Sequence, residues 1–217
     1  MAGRRFRHVQ NVHRARLGDE LAVGRVGGRV GTGVVESIAH DSIEFSVRLE
    51  AEPPPKLALT VILALPRPKV LARVLGDLTS LGVPRIVLLN SWRVEKSYWS
   101  SPILEEGSLL EIRRLGLEQA RDTILPEIRV ERFFQPFLHG GLAAFAPAGP
   151  RYVAHPGSAI SAPRDVSEPS VVAIGPEGGW VERELESFER EGFQAITLGS
   201  RPLRVETAVT ALISRMF

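Results

Sequence analysis

The sequence predicts an α/β protein: an open parallel sheet with glycine-rich turns at its carboxyl edge, preceded by a small β unit. Three observations predict it. From about residue 57, short apolar runs alternate with helix-period segments, the pattern of βα units around a buried parallel sheet. Before that point the runs are shorter, alternate apolar with polar residues, and are separated by glycine or aspartate turns, as antiparallel strands are. Between the two stands Pro53-Pro54-Pro55, which cannot donate ladder hydrogen bonds and stiffens the chain. The boundary is placed there, giving a β domain over 1–55 and an α/β domain over 56–217.

In the first domain, Leu21-Ala22-Val23, Gly33-Val34-Val35 and 42–47 read as strands. Gly18-Asp19, Gly27-Gly28 and His40-Asp41 supply the turns, with a hairpin centred on Gly27-Gly28. In the second, a strand over 57–65 leads to a helix over 69–80 and a strand over 85–89. An amphipathic helix follows over 104–123, with Leu109, Ile112, Leu115 and Leu117 on its apolar face, and Pro126 breaks it from a strand over 128–130. A helix over 136–145, strands over 151–154 and 171–174, a helix over 182–191 stopped by Gly192, a strand over 195–198 and a helix over 205–216 complete the pattern.

Composition excludes several classes. With 44% apolar residues in 217 the chain can bury a core. Its longest apolar stretch, 57–65, is too short to cross a bilayer, and no leader pattern is visible, so no membrane partner and a cytoplasmic location are expected. The absence of cysteine removes disulfides, thiolate nucleophiles and zinc-thiolate sites, and the five histidines are scattered, so no metal is expected. The net charge is only +2, yet Arg4, Arg5, Arg7, Arg14 and Arg16 cluster at the start of the chain. Arginine forks contact phosphate and stack on bases, which makes these five candidate RNA contacts. Lysine occurs only at 56, 69 and 96, so a coding bias towards arginine accounts for the same cluster without a partner.

Two turns carry the chemistry: Ile174-Gly175-Pro176-Glu177-Gly178-Gly179 and Leu198-Gly199-Ser200-Arg201-Pro202-Leu203-Arg204-Val205-Glu206-Thr207. Each leaves a strand and enters a helix, bringing backbone N–H groups to one point. The first lacks the lysine and hydroxyl of a phosphate loop and places Glu177 where an anion would sit. A neutral or cationic ligand such as an adenosine or a sulfonium, a purely structural glycine turn, and phosphate all stay open. In the second, Arg201 and Arg204 fit a phosphate or a uracil carbonyl, while Glu206 and Thr207 fit equally as helix caps. Ala154-His155-Pro156 ends another strand, and the three turns converge if their strands are parallel neighbours.

These residues, with Glu118-Gln119 and Leu125-Pro126-Glu127-Ile128, resemble the RsmE family of 16S ribosomal RNA uracil-N3 methyltransferases, of the SPOUT class. The match extends over most of 57–217, and His8-Val9 and Gly18-Asp19-Glu20-Leu21 resemble the start of that family's small PUA-like β-barrel domain. The resemblance implies an α/β domain with a trefoil knot, S-adenosylmethionine as cofactor, and a homodimer acting on ribosomal RNA or the small ribosomal subunit. Carried over by position, it implies cofactor contacts from Ala154, His155, Pro156, Ile174, Gly175, Pro176, Glu177, Gly178, Gly179, Leu198, Gly199, Leu203, Arg204 and Thr207. Arg204 and Glu206 would act on the uridine, and Arg201 would contact RNA. Departures include Pro66-Arg67-Pro68-Lys69 and the stretch 90–99, with Trp92 and Trp99 exposed-looking. The rival readings are an RNA-binding protein with an idle SPOUT domain and a nucleotide-dependent enzyme.

Overall fold

The computed structural model describes the backbone of residues 1–217 and every side chain except those of His8 and Val12. Its residues form two compact units, Met1–Pro54 with Leu117–Ile124, and Pro55–Gly116 with Leu125–Phe217. The division falls inside the proline run, but 117–124, which the sequence put in the α/β domain over 56–217, belongs to the first unit. Contacts about a hundred residues apart in sequence hold it there, and no local pattern announces them. Gly27 N–H donates to Thr123 O at 2.8 Å, the Thr123 hydroxyl donates to the Gly28 carbonyl, and Arg4 and Arg5 pair with Glu118 at 2.8 and 2.9 Å.

In the first unit, β1 (Glu20–Gly24), β2 (Val30–Ile38) and β3 (Ile43–Ala51) form an antiparallel sheet in that order. The hairpin turns at Gly27-Gly28 as the sequence indicates, with Gly27 at φ +75°, a conformation that favours glycine. Where the sequence indicated only a basic arm, the chain forms α1 (Gly3–His8) and a π-helical turn (Val9–His13). Phe6 and Val9, three residues apart on one face, bury themselves with Val35 and Ile43. That packing leaves Arg4, Arg5 and Arg7 exposed.

The second unit is built on a six-stranded parallel sheet. Its strands are β4 (Leu59–Ala64), β5 (Arg85–Leu89), β6 (Glu127–Glu131), β7 (Arg151–Ala154), β8 (Ser170–Ile174) and β9 (Phe193–Ile196), in the order β6-β5-β4-β8-β7-β9. Every residue of β4 and β8 is buried, as expected for central parallel strands covered on both faces. The helices are α2 (Pro68–Ser80), α3 (Glu106–Ala120), which belongs to this unit as far as Gly116, the short α4 (Phe134–Pro136) and α5 (Leu142–Phe145), α6 (Glu182–Arg190) and α7 (Val205–Met216). A π-helical turn, Phe137–Gly141, joins α4 to α5, so the helix expected over 136–145 is in three pieces. Pro68 opens α2, where its missing N–H costs nothing, and Leu71, Val74, Leu75 and Leu78 form its buried stripe.

The face expected for α3 needs one correction. Leu109 and Leu117 are buried, but Leu115 is 44% exposed, because the contact line runs through Gly116 instead. A Cβ at Gly116 would lie 2.7 Å from Thr79 Cβ and 2.8 Å from Gly76 O, so the absence of a side chain sets how closely α3 approaches α2. Gly116→Ala gains up to about 1 kcal/mol of helix propensity but loses about 1–3 kcal/mol to overpacking against backbone. The expected net is a destabilisation of about 1–2 kcal/mol, read as a lowered urea midpoint. Nearby, Arg113 donates to the carbonyls of Leu109 and Pro126 at 3.1 and 2.9 Å. Burial pushes its guanidinium pKa below the ordinary value, against the opposing charge of Glu106.

Candidate functional site

β8, β7 and β9 are adjacent and parallel, so the segments leaving their carboxyl ends emerge at one edge of the sheet. There they line a cavity of about 350 Å³. Ala154, His155 and Pro156 come from the end of β7, and Ile174, Gly175, Pro176, Glu177, Gly178 and Gly179 from the end of β8. Leu198, Gly199, Arg201 and Leu203 follow β9. The strand expected over 195–198 ends two residues earlier, at Ile196, because Thr197 bonds a different partner, Ile160 O, at 2.8 Å.

Arg204, Glu206 and Thr207 stand outside this lining, whereas Val205, Ala208 and Leu212 are in it. The reason is periodicity: α7 begins at Val205, and residues three and seven further on share its face. Glu206 therefore points elsewhere and pairs with Arg73 of α2 at 3.2 Å. Arg204 is the exposed, extended residue just before the helix, and no side chain caps the helix there, so the capping expected of Glu206 and Thr207 is not made.

The loops are tied to one another. His155 N–H donates to Ile196 O at 2.9 Å. The Thr197 hydroxyl accepts from Gly199 N–H at 3.1 Å and donates to Gly199 O at 2.9 Å, closing a small hydroxyl-braced turn. The Glu177 carboxylate, which on sequence grounds argued against phosphate, accepts from Arg67 N–H at 3.3 Å and faces Arg67 Nε at 3.6 Å. Arg67 follows β4, so a fourth strand end closes on the site. From beyond β5, Arg93 donates to the Gly178 carbonyl and lines the cavity. A carboxylate also braces this corner: Glu184, 6% exposed, accepts from Trp92 N–H at 2.8 Å and Val181 N–H at 2.9 Å.

Sequence reasoning left Arg93 and Trp180, both in the lining, out of the contact set, although Trp180 directly follows the Ile174–Gly179 turn. The signal for Arg93 was available, since it follows a strand of the same parallel sheet and must emerge at the same edge. Trp180, 5% exposed, stacks edge-on against Phe188 at 4.9 Å between ring centroids and backs the glycine turn. Of the two tryptophans in 90–99, Trp92 is exposed, but Trp99 is half-buried and donates to Asn90 Oδ1 at 3.0 Å. Of the candidate RNA contacts in the first unit, Arg7, Arg14 and Arg16 are exposed, while Arg4 and Arg5 are engaged by Glu118. Among the described residues no cluster of three or more metal-ligating side chains occurs, and no helix is long and apolar enough to cross a membrane.

Gly199 sits at φ +120°, a region closed to branched side chains. Gly199→Val should strain and shift the 198–203 loop at a cost of about 1–3 kcal/mol, read as a lowered urea midpoint. A midpoint equal to that of the parent protein would mean that the loop accepts the branched side chain.

The family model described as an RNA methyltransferase domain matches residues 53–217, which include every residue lining the cavity. The chain belongs to this RNA methyltransferase family. A Treponema pallidum relative named ribosomal RNA small subunit methyltransferase E is 30% identical over 216 residues, covering 95% of this chain and 80% of the relative. A Legionella pneumophila structure described as a methyltransferase in complex with the bound cofactor SAM superposes with a TM-score of 0.73 at 25% identity, covering 96% of this chain and 86% of the other. A ribosomal RNA small subunit methyltransferase E from Neisseria gonorrhoeae bound to S-adenosyl methionine shares the fold, with a TM-score of 0.73 at 24% identity over 99% of this chain and 88% of the other. Within the RNA methyltransferase family, then, this chain has an α/β fold on a parallel sheet.

Proposed function

We propose that this RNA methyltransferase transfers a methyl group from S-adenosylmethionine to N3 of a uridine in small-subunit ribosomal RNA. The observation that carries the reading is the single cavity shared by Ala154–Pro156, Ile174–Gly179, Leu198-Gly199 and Leu203, segments distant in the chain. Its volume of about 350 Å³ lies in the range of small-molecule sites. Its wall also fits the donor. Gly178 leaves a slot where a Cβ would press on Arg93 Cδ at 2.9 Å, and a Cβ on Gly175 would lie 3.3 Å from Trp180 Nε1. The bound donor supplies an electrophilic methyl carbon: the N3–carbon bond forms as the carbon–sulfur bond breaks, and the electron pair stays on sulfur.

The residues then have to hold the acceptor in line and manage one proton. Uracil N3 carries that proton at neutral pH and gives it up to solvent water, and its loss puts negative charge on O2 and O4. Arg204, exposed beside the cavity-lining Leu203 and Val205, donates to that charge. Glu206, paired with Arg73 outside the cavity lining, acts as an orienter by fixing the first turn of α7 behind Arg204. The exposed arginines Arg7, Arg14, Arg16 and Arg201 contact RNA phosphates, and Arg4 and Arg5 join them by exchanging Glu118 for phosphate.

The same reading includes a trefoil knot in 56–217, a PUA-like barrel in 1–55, a homodimer and a cytoplasmic location. Calorimetry with S-adenosylmethionine tests the cofactor, and mapping methylated bases in ribosomal RNA from cells with and without the protein tests the target. Sedimentation tests the dimer. One observation favours the alternative of an idle RNA binder: Glu206 is occupied by Arg73. That alternative predicts no heat with S-adenosylmethionine.

A further inference from the structure

Beyond β5 the chain makes a turn whose ends are buried and whose tip is not. Val94 N–H donates to Ser91 O at 3.0 Å, closing a four-residue turn. Ser91 and Val94 are 5% and 8% exposed, whereas Trp92 at the tip is 82% exposed. No other large hydrophobic side chain among the described residues is displayed so fully. The turn is also anchored, since Trp92 N–H is held by the buried Glu184 at 2.8 Å. Arg93, the other tip residue, lines the cavity and is pinned through one guanidinium nitrogen to the Gly178 carbonyl. Arg201 adds positive charge at the same rim, whereas the charge of Arg67 is balanced by Glu177.

A flat indole held out on a fixed turn, next to an arginine at the mouth of the site and with a second arginine, Arg201, on the same lining, has the two chemistries that grip a single strand: a stacking face and a cation for the backbone. We infer that Trp92 is the stacking platform for an unpaired RNA base flanking the target nucleotide, with Arg93 contacting the adjoining phosphate. The inference rests on the RNA methyltransferase reading above and adds the residue that seats the strand. The arginine rim suits a polyanion, which is why RNA and not a protein partner is assigned to this surface. Stacking is indifferent to base identity, so Trp92 supplies affinity and position, not sequence choice.

The test uses the full chain and two variants, Trp92→Ala and Trp92→Phe. With ribosomal RNA as substrate, Trp92→Ala should raise KM for RNA about 5- to 150-fold, the worth of one base–aromatic stack. It should change kcat far less and leave S-adenosylmethionine affinity unchanged. Trp92→Phe should recover most of the loss, which a merely structural role would not require. A KM for Trp92→Ala within about twofold of the parent, or equal losses in the two variants, would overturn the inference. So would a shift of Trp92→Ala to a smaller species on gel filtration, which would assign the indole to a subunit interface. If the parent protein methylates no ribosomal RNA, the functional reading fails by itself. The inference is then decided by anisotropy with a single-stranded oligouridylate, where weaker binding by Trp92→Ala sustains it and equal binding overturns it.

Discussion

Replacing Arg204 with alanine is expected to lower methyl transfer to ribosomal RNA about 10²- to 10³-fold, the loss typical of removing one donor from a developing oxyanion, while S-adenosylmethionine still binds. The separation follows from placement. Arg204 lies outside the cavity wall, between two residues that line it, and is exposed, so its guanidinium is available to the acceptor and not needed by the donor. Single-turnover kinetics with saturating cofactor, alongside calorimetry, reads both halves. Parent-like transfer by the variant would remove Arg204 from the chemistry. Loss of cofactor affinity in step with activity would place it in the donor site instead. Arg204→Lys keeps the charge but loses the forked geometry, and should recover only part of the rate.

The second large effect is structural. Glu184 sits at the third position of α6, whose preceding residue, Val181, has no polar side chain to cap the helix. The carboxylate reaches back to Val181 N–H and across to Trp92 N–H, serving as helix cap and as the clasp between two loops of the site. Glu184→Ala leaves both donors unpaired in a part-buried setting. At about 1–3 kcal/mol for each unsatisfied group, partly relieved by entering water, the expected loss is about 2–4 kcal/mol. In a chain of this size that is a fall in Tm of roughly 5–15 °C. Glu184→Gln keeps an acceptor for one donor and should lose less. An unchanged Tm for the alanine variant would mean that the 90–99 loop is held by its other bonds, those of Val94 to Ser91, Arg93 to Gly178 and Trp99 to Asn90.

The sheet was legible in the sequence because its strands β4, β5 and β8 are near-continuous apolar runs; β5, β7 and α7 fall where periodicity places them, and the other main strands and helices shift by only a few residues. The glycine turns were legible as well, and the convergence of three of them follows from β8, β7 and β9 being parallel neighbours. What escaped was of a different kind. The pairings of Glu206 with Arg73, Glu177 with Arg67, and Glu118 with Arg4 and Arg5 join residues more than a hundred positions apart, and side-chain choice among distant partners leaves no local pattern. The displacement of Glu206 and Thr207 from the cavity follows from a helix start at Val205 that the periodicity itself indicated, since Val205, Ala208 and Leu212 then share the inward face. A start two residues on would have kept Arg204 and Glu206 on the same side of an extended strand.

The position of β8 between β4 and β7 has a consequence for how the chain is made. On a ribosome, β4, β5 and β6 emerge early, but the flank of β4 has no partner until Ser170 and its successors arrive, since Leu59 pairs with Ser170. For the time needed to synthesise those hundred or so residues, at about 5–20 per second, an apolar strand waits with its ladder unfilled, a template for mispairing between nascent chains. The enzyme's own birth is therefore its most aggregation-prone moment, and a chaperone that shields residues 59–64 would protect it most.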